Sequence, residues 1–120
     1  MFVGKTKKHG LIMKMLSKEI LDKTWAETNA AYNVACEKVG YSNAEIRSNL
    51  ILRRIKYDEF IRKRDKLDEV YRELLCKLPT EVLNNVVDAW KSKQQSRSIR
   101  TIETIAAELF ERELGALDGT

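Results

Sequence analysis

The chain has 120 residues, the size of one ordinary domain. Its 5 Gly and 1 Pro amount to about 5% of residues against a usual ~12%, too few turn formers for a β-sandwich or barrel. With 43% hydrophobic and 33% charged residues it is a globular composition, and no apolar run approaches the ~18–20 residues that span a bilayer. A single His and two Cys leave too few soft ligands for a zinc site, and the scattered glycines allow neither a Walker loop nor a dinucleotide fingerprint. The expectation is a non-enzymatic protein without cofactor or metal.

Cys36 and Cys76 lie among apolar neighbours, and no secretory signal pattern precedes them. They are expected to be reduced, buried thiols in an intracellular protein, placed in the cytoplasm or, if phage-encoded, the host cytoplasm. The net charge of +4 is unevenly spread. Residues 1–16 hold Lys5, Lys7, Lys8 and Lys14 and no acid; residues 47–66 hold eight basic and three acidic side chains; residues 91–100 hold four basic side chains and no acid. The last twenty residues hold five acids and one Arg. Three positive blocks opposite an acidic tail point to one surface that faces a polyanion.

In chain order, residues 1–16 read as a basic arm. Ser17 is a predicted N-cap, with Glu19 in the first turn and Ile20, Leu21 and Trp25 as the apolar side. Thr28-Asn29 reads as a break, after which Ala30, Ala31, Val34, Ala35 and Val39 give a short helix a small apolar face. Gly40 suits the left-handed end of that helix. Ser42-Asn43-Ala44-Glu45 is a capping box, so a new helix starts at Asn43 and carries Ile46, Leu50, Ile51 and Ile55. It either continues or bends near Tyr57-Asp58 into a long amphipathic stripe, Leu67, Val70, Tyr71, Leu74, Leu75 and Leu78. Pro79 ends that helix and Thr80 caps the next, which buries Val82, Leu83, Val86, Val87 and Trp90. Thr101 is the predicted cap of the last helix, with Ile102, Ile105, Ala106, Leu109 and Phe110 on one side and Gly115 at its end. The fold class is therefore all-α: a compact single domain of about five helices, with the basic arm at 1–16, a helix-turn-helix-like part and long helix at 17–78, and a helical pair at 79–120.

Residues 32–54 compare with a DNA-reading helix-turn-helix, in which a small residue, a turn Gly and an apolar anchor recur at set spacing. Cys36, Gly40 and Ile46 fill those places, while Leu50 falls one residue past the strict position, which Asn49 occupies. In such a unit the start of the second helix faces base edges in the major groove. Tyr41, Ser42, Asn43 and Arg47 are then the expected readers, since Asn pairs with adenine and Arg with guanine. Arg53, Arg54 and Lys56, with Lys5, Lys7 and Lys8 of the arm, are expected on phosphates.

The run Asn29-Ala30-Ala31, then Ala35 and Val39-Gly40-Tyr41-Ser42, followed by Ile55–Arg64 leading into a long helix, is similar to the helix-turn-helix region of bacteriophage terminase small subunits. The resemblance covers about residues 29–75; nothing from Pro79 onward matches it. It implies binding of viral duplex DNA for packaging, a ring-like homo-oligomer, and delivery of DNA to a separate, larger protein partner, without chemistry of its own.

Other features have blander expectations. His9 is a solvated arm residue, the carboxylates at 58–73 pair at i,i+4 as Asp58–Arg62 and Glu59–Lys63, and Trp25 and Trp90 are core anchors. The apolar stripes of 67–78 and 102–114 exceed what one small core needs, which points to self-association. The alternative function is a small helical interaction module, an inhibitor or adaptor docking on a host protein.

Overall fold

The computed structural model describes residues 15–118, which form five helices and no strand among the described residues. Residues 1–14 of the arm, with Lys5, Lys7 and Lys8, lie outside the described residues, whereas Leu16, expected in the arm, is 6% exposed and packed into the fold. The helices are α1 (Lys18–Val39), α2 (Asn43–Ile51), α3 (Tyr57–Leu75), α4 (Thr80–Lys91) and α5 (Ile99–Asp118).

Ser17 starts α1 as expected: its hydroxyl accepts the Ile20 amide at 3.2 Å. The expected break at Thr28-Asn29 does not occur, and α1 runs 22 residues to Gly40. Thr28 is buried inside the helix, donates its hydroxyl proton to the Trp25 carbonyl at 3.1 Å, and accepts from Arg97 at 3.1 Å. A polar residue that reads as punctuation is here a tertiary contact. The buried face is Thr24, Thr28, Ala31 and Ala35, small side chains that let α1 lie close against α3. Ala30 and Val34, expected on that face, point outward.

Gly40 ends α1 at φ +91°, and its amide returns to the Cys36 carbonyl at 2.8 Å. α2 and α4 end in the same way without glycine. Arg53 (φ +60°) and Lys93 (φ +64°) occupy the left-handed position, and paired amides close back on the last turn: Arg53 to Leu50 and Arg54 to Asn49, then Lys93 to Trp90 and Gln94 to Ala89. These are Schellman closures, and a cation at that place also meets the negative end of the helix dipole. After α2 the chain breaks fully over 52–56, so the uncertain bend near Tyr57-Asp58 is a corner between two helices.

Pro79 terminates the stretch after α3, as expected. It occupies the N-cap place of α4 itself, and Thr80 is the first helical residue, not the cap. For α5 the cap is Ser98, whose hydroxyl accepts the Thr101 amide at 3.1 Å; Thr101 lies inside the helix, and Gly115 does not end it.

The core is shared by four helices: Ala31 of α1, Leu75 of α3, Leu83 and Val86 of α4, and Ile102 and Ile105 of α5. Leu75, Leu83 and Ile105 are fully buried, each worth ~1.5–3 kcal/mol relative to exposure. The C-terminal pair is thus built into the same core as α1 and α3. Most of the stripe at 67–78 serves that core: Leu75 belongs to it and Tyr71, Leu74 and Leu78 pack against it, while Leu67 is fully buried apart from that cluster. The thiols of Cys36 and Cys76 are unbridged and half-buried, less enclosed than expected. Arg112 staples α5 to its neighbours, donating to Glu108 Oε2 at 2.8 Å, Thr80 Oγ1 at 2.9 Å and the Cys76 carbonyl at 2.6 Å.

Candidate nucleic-acid interface

The turn at 40–42 is fastened by the residues that the sequence offered as readers. Ser42 caps α2, accepting the Glu45 amide at 3.1 Å. Tyr41 donates its hydroxyl proton to the Lys63 carbonyl at 2.9 Å, and the Lys63 ammonium sits 4.7 Å from its ring centroid. The amide of Asn43 donates to the Tyr32 hydroxyl at 3.0 Å, and the Tyr32 ring meets Tyr71 edge-on at 5.6 Å. All three candidates are half-buried. Tyr41 spends its hydroxyl on the Lys63 carbonyl and Ser42 on the start of α2, so both are committed to positioning α2. Burial also pushes the phenols of Tyr32, Tyr41 and Tyr71 above their ordinary range, so they stay protonated.

Ile46 anchors α2, 1% exposed, as expected. With Ile46 inward, the opposite face is set by helical geometry: Ala44, Arg47, Ser48 and Ile51 are exposed at i, +3, +4 and +7. Arg47 is therefore presented as expected, but beside Ala44, Ser48 and Ile51 and not beside Tyr41 and Ser42. The phase of Ile46 was the signal that could have found them. Arg53, Arg54 and Lys56 are all exposed at the corner after α2. From 46 to 57 the chain carries Arg47, Arg53, Arg54 and Lys56 and no carboxylate. α2 packs mainly against α3, and the Asn43 amide on the Tyr32 hydroxyl ties it to α1.

The positive blocks meet in part. Arg100 comes beside Arg62, Lys66 and Arg72 of α3 around an open groove of about 470 Å³, which also holds Asp65 and Glu69. An adjoining cleft of about 190 Å³ joins Arg72 and Arg100 to Asp68, Tyr32 and Asn43. Burial raises the Asp68 carboxyl above its ordinary value, against the pull of Arg72 and Arg64. No sequence pattern announced the meeting of Arg72 with Arg100, because 28 positions separate them.

Arg97 leaves the third block and turns inward. Its guanidinium donates to the Tyr71 hydroxyl at 3.3 Å and to Thr28 Oγ1 at 3.1 Å, and lies 5.3 Å from the Trp25 ring. Trp25 is consequently no core anchor: it is 54% exposed and its ring lies against the half-buried Arg97 guanidinium. Trp90 is half-buried against the core. Of the expected helical ion pairs, Glu59–Lys63 forms at 3.9 Å. Among the described residues, no three His, Cys, Asp or Glu side chains group as metal ligands, and no helix is long and apolar enough to cross a membrane. No protein-family model, curated protein or solved structure matches the chain.

Proposed function

We propose that the chain is a non-enzymatic duplex-DNA-binding protein that lays the outer face of α2 into the major groove. The observation that carries this is the pairing of an exposed helical face, Ala44, Arg47, Ser48 and Ile51, with an acid-free basic corner at Arg53, Arg54 and Lys56. Arg47 suits the paired acceptors of guanine, the apolar Ala44 suits a thymine methyl, and the corner cations suit phosphates. The resemblance of residues 29–75 to terminase small subunits supports reading it as a phage-type DNA-handling protein that acts as an oligomer. Selection of bound duplexes from a random pool, followed by anisotropy titrations over a salt series, tests the proposal. Affinity should fall steeply with salt; Arg47→Ala should relax the selected sequence; Arg54→Ala should weaken all sequences alike and flatten the salt slope by about one. Absence of duplex retention at ~50 mM salt overturns it.

A second reading has its own observation. α5 keeps Phe110 (61% exposed) and Leu114 (44%) on its outer side, beside Glu111 and Glu113. That acidic, apolar face suits a protein partner or another copy of the chain. A single stoichiometric partner, retained after nuclease treatment and lost in Phe110→Ser, would support the interaction module over the DNA reader.

A further inference from the structure

The corner after α2 exposes more than charge. Ile51 is 70% exposed and Leu52 58%, adjacent residues at the last turn of a short helix. Tyr57, 64% exposed, stands across the corner, its ring 6.3 Å from that of Phe60. A chain with a single shared core has no packing reason to hold two large aliphatic side chains in water at one point. The point is also rigid. The Leu52 amide bonds the Ser48 carbonyl at 2.8 Å, and Arg53 and Arg54 bond Leu50 and Asn49 at 3.0 and 2.8 Å. Arg53 sits in the left-handed region at φ +60°, a conformation costly for a side chain with a Cβ and one that clusters at functional sites. The first carboxylates beyond it are Asp58 and Glu59, and Glu59 is engaged with Lys63.

We infer that Ile51 and Leu52 form a preset wedge that enters a base step of bound duplex DNA and kinks it, while Arg53, Arg54 and Lys56 grip the flanking phosphates. This rests on the DNA-binding reading above. Charge selects the occupant: the segment 46–57 that carries the wedge holds four cations and no carboxylate, which suits a polyanion and not an apolar protein pocket. Its apolar area also falls short of a bilayer anchor, since even one whole acyl chain gives only marginal, reversible membrane binding. Apolar wedges of Ile and Leu between base pairs, flanked by phosphate contacts, bend duplexes by ~20–90°, most cheaply at flexible TpA steps.

The test uses a duplex of about 30 base pairs with central TpA steps, 2-aminopurine in those steps, and a donor and acceptor dye at its ends. The full chain should raise 2-aminopurine emission and shorten the end-to-end distance. Ile51→Ser/Leu52→Ser, both outside the core, should melt like the parent, bind about tenfold more weakly with an unchanged salt slope, and produce neither signal. Arg54→Ala should bind more weakly yet still bend the DNA. Binding by the parent without bending or unstacking, or equal bending by the double Ser variant, overturns the wedge and leaves the DNA reading standing. No binding to any duplex sinks both. Sedimentation with phosphatidylcholine–phosphatidylserine vesicles that depends on Ile51 and Leu52, without any change in DNA geometry, assigns the corner to lipid and overturns the proposal.

Discussion

The side-chain amide of Gln94 closes a two-way bridge with the backbone of Leu16: the Leu16 amide donates to Oε1 at 3.0 Å, and Nε2 donates to the Leu16 carbonyl at 2.8 Å. The residue leading into α1 is thereby tied to the turn after α4, 78 positions away, and Leu16 itself is 6% exposed. Ser92 also donates to Oε1, at 2.7 Å, and fixes the amide's orientation. Gln94→Ala strips both backbone groups of a partner and should cost about 1–3 kcal/mol in urea unfolding. Gln94→Glu keeps the acceptor but loses the donor and should fall between the two.

The two left-handed cations allow a matched pair of substitutions. Lys93→Gly relieves the positive φ at no contact cost and should leave stability equal to the parent or higher by up to about 1 kcal/mol, the gain reduced by glycine's extra chain entropy. Arg53→Gly should behave the same way in thermal melts but lose affinity for duplex DNA. Stability and binding would then separate at Arg53 and not at Lys93.

Asp68 sets a pH dependence of unusual sign for a carboxylate. Because burial raises its folded-state pKa, the native chain holds this proton more tightly than the unfolded chain does. Its contribution is absent below the ordinary value of 3.8 and becomes a cost as pH rises through the folded value. Asp68→Asn should therefore raise the melting temperature at pH 7, and the advantage should vanish as pH falls toward 4. An unchanged difference between the two proteins across that window would contradict this assignment.

Cys76 should be a slow nucleophile. Burial, with Glu108 nearby, pushes its thiol above the ordinary range, so little thiolate exists near neutrality. Alkylation by iodoacetamide at Cys76, followed by peptide mass spectrometry, should be slower than for a small free thiol and should accelerate in urea.

What the sequence made legible was local. Ser17, Ser42 and Gly40 act within three or four residues of themselves and mark the helix ends they were expected to mark, whereas Pro79 marks the start of α4 more than the end of α3, which stops at Leu75. The capping box is half formed: Ser42 accepts the Glu45 amide, while Glu45 itself stays exposed. Thr101, the expected cap of α5, is itself capped by Ser98, three residues earlier. Thr28 misled because its hydroxyl serves Arg97, 69 positions on, and a polar residue with a distant partner looks like a loop residue until the fold is known. The internal bond of Tyr41 was hidden for the same reason. Tyr41 finds the backbone of Lys63, 22 positions away, and no pattern near position 41 signals that bond.

The hydroxyl of Tyr32 has one further consequence. Its ring abuts Tyr71 in the interior while its oxygen holds the first amide of α2, so the same phenol touches the foundation and the outermost rod. The bond couples Asn43 to the α1–α3 seam and opposes an independent swing of the short helix on its three-residue connection, holding it to the body of the molecule like a blade to its handle.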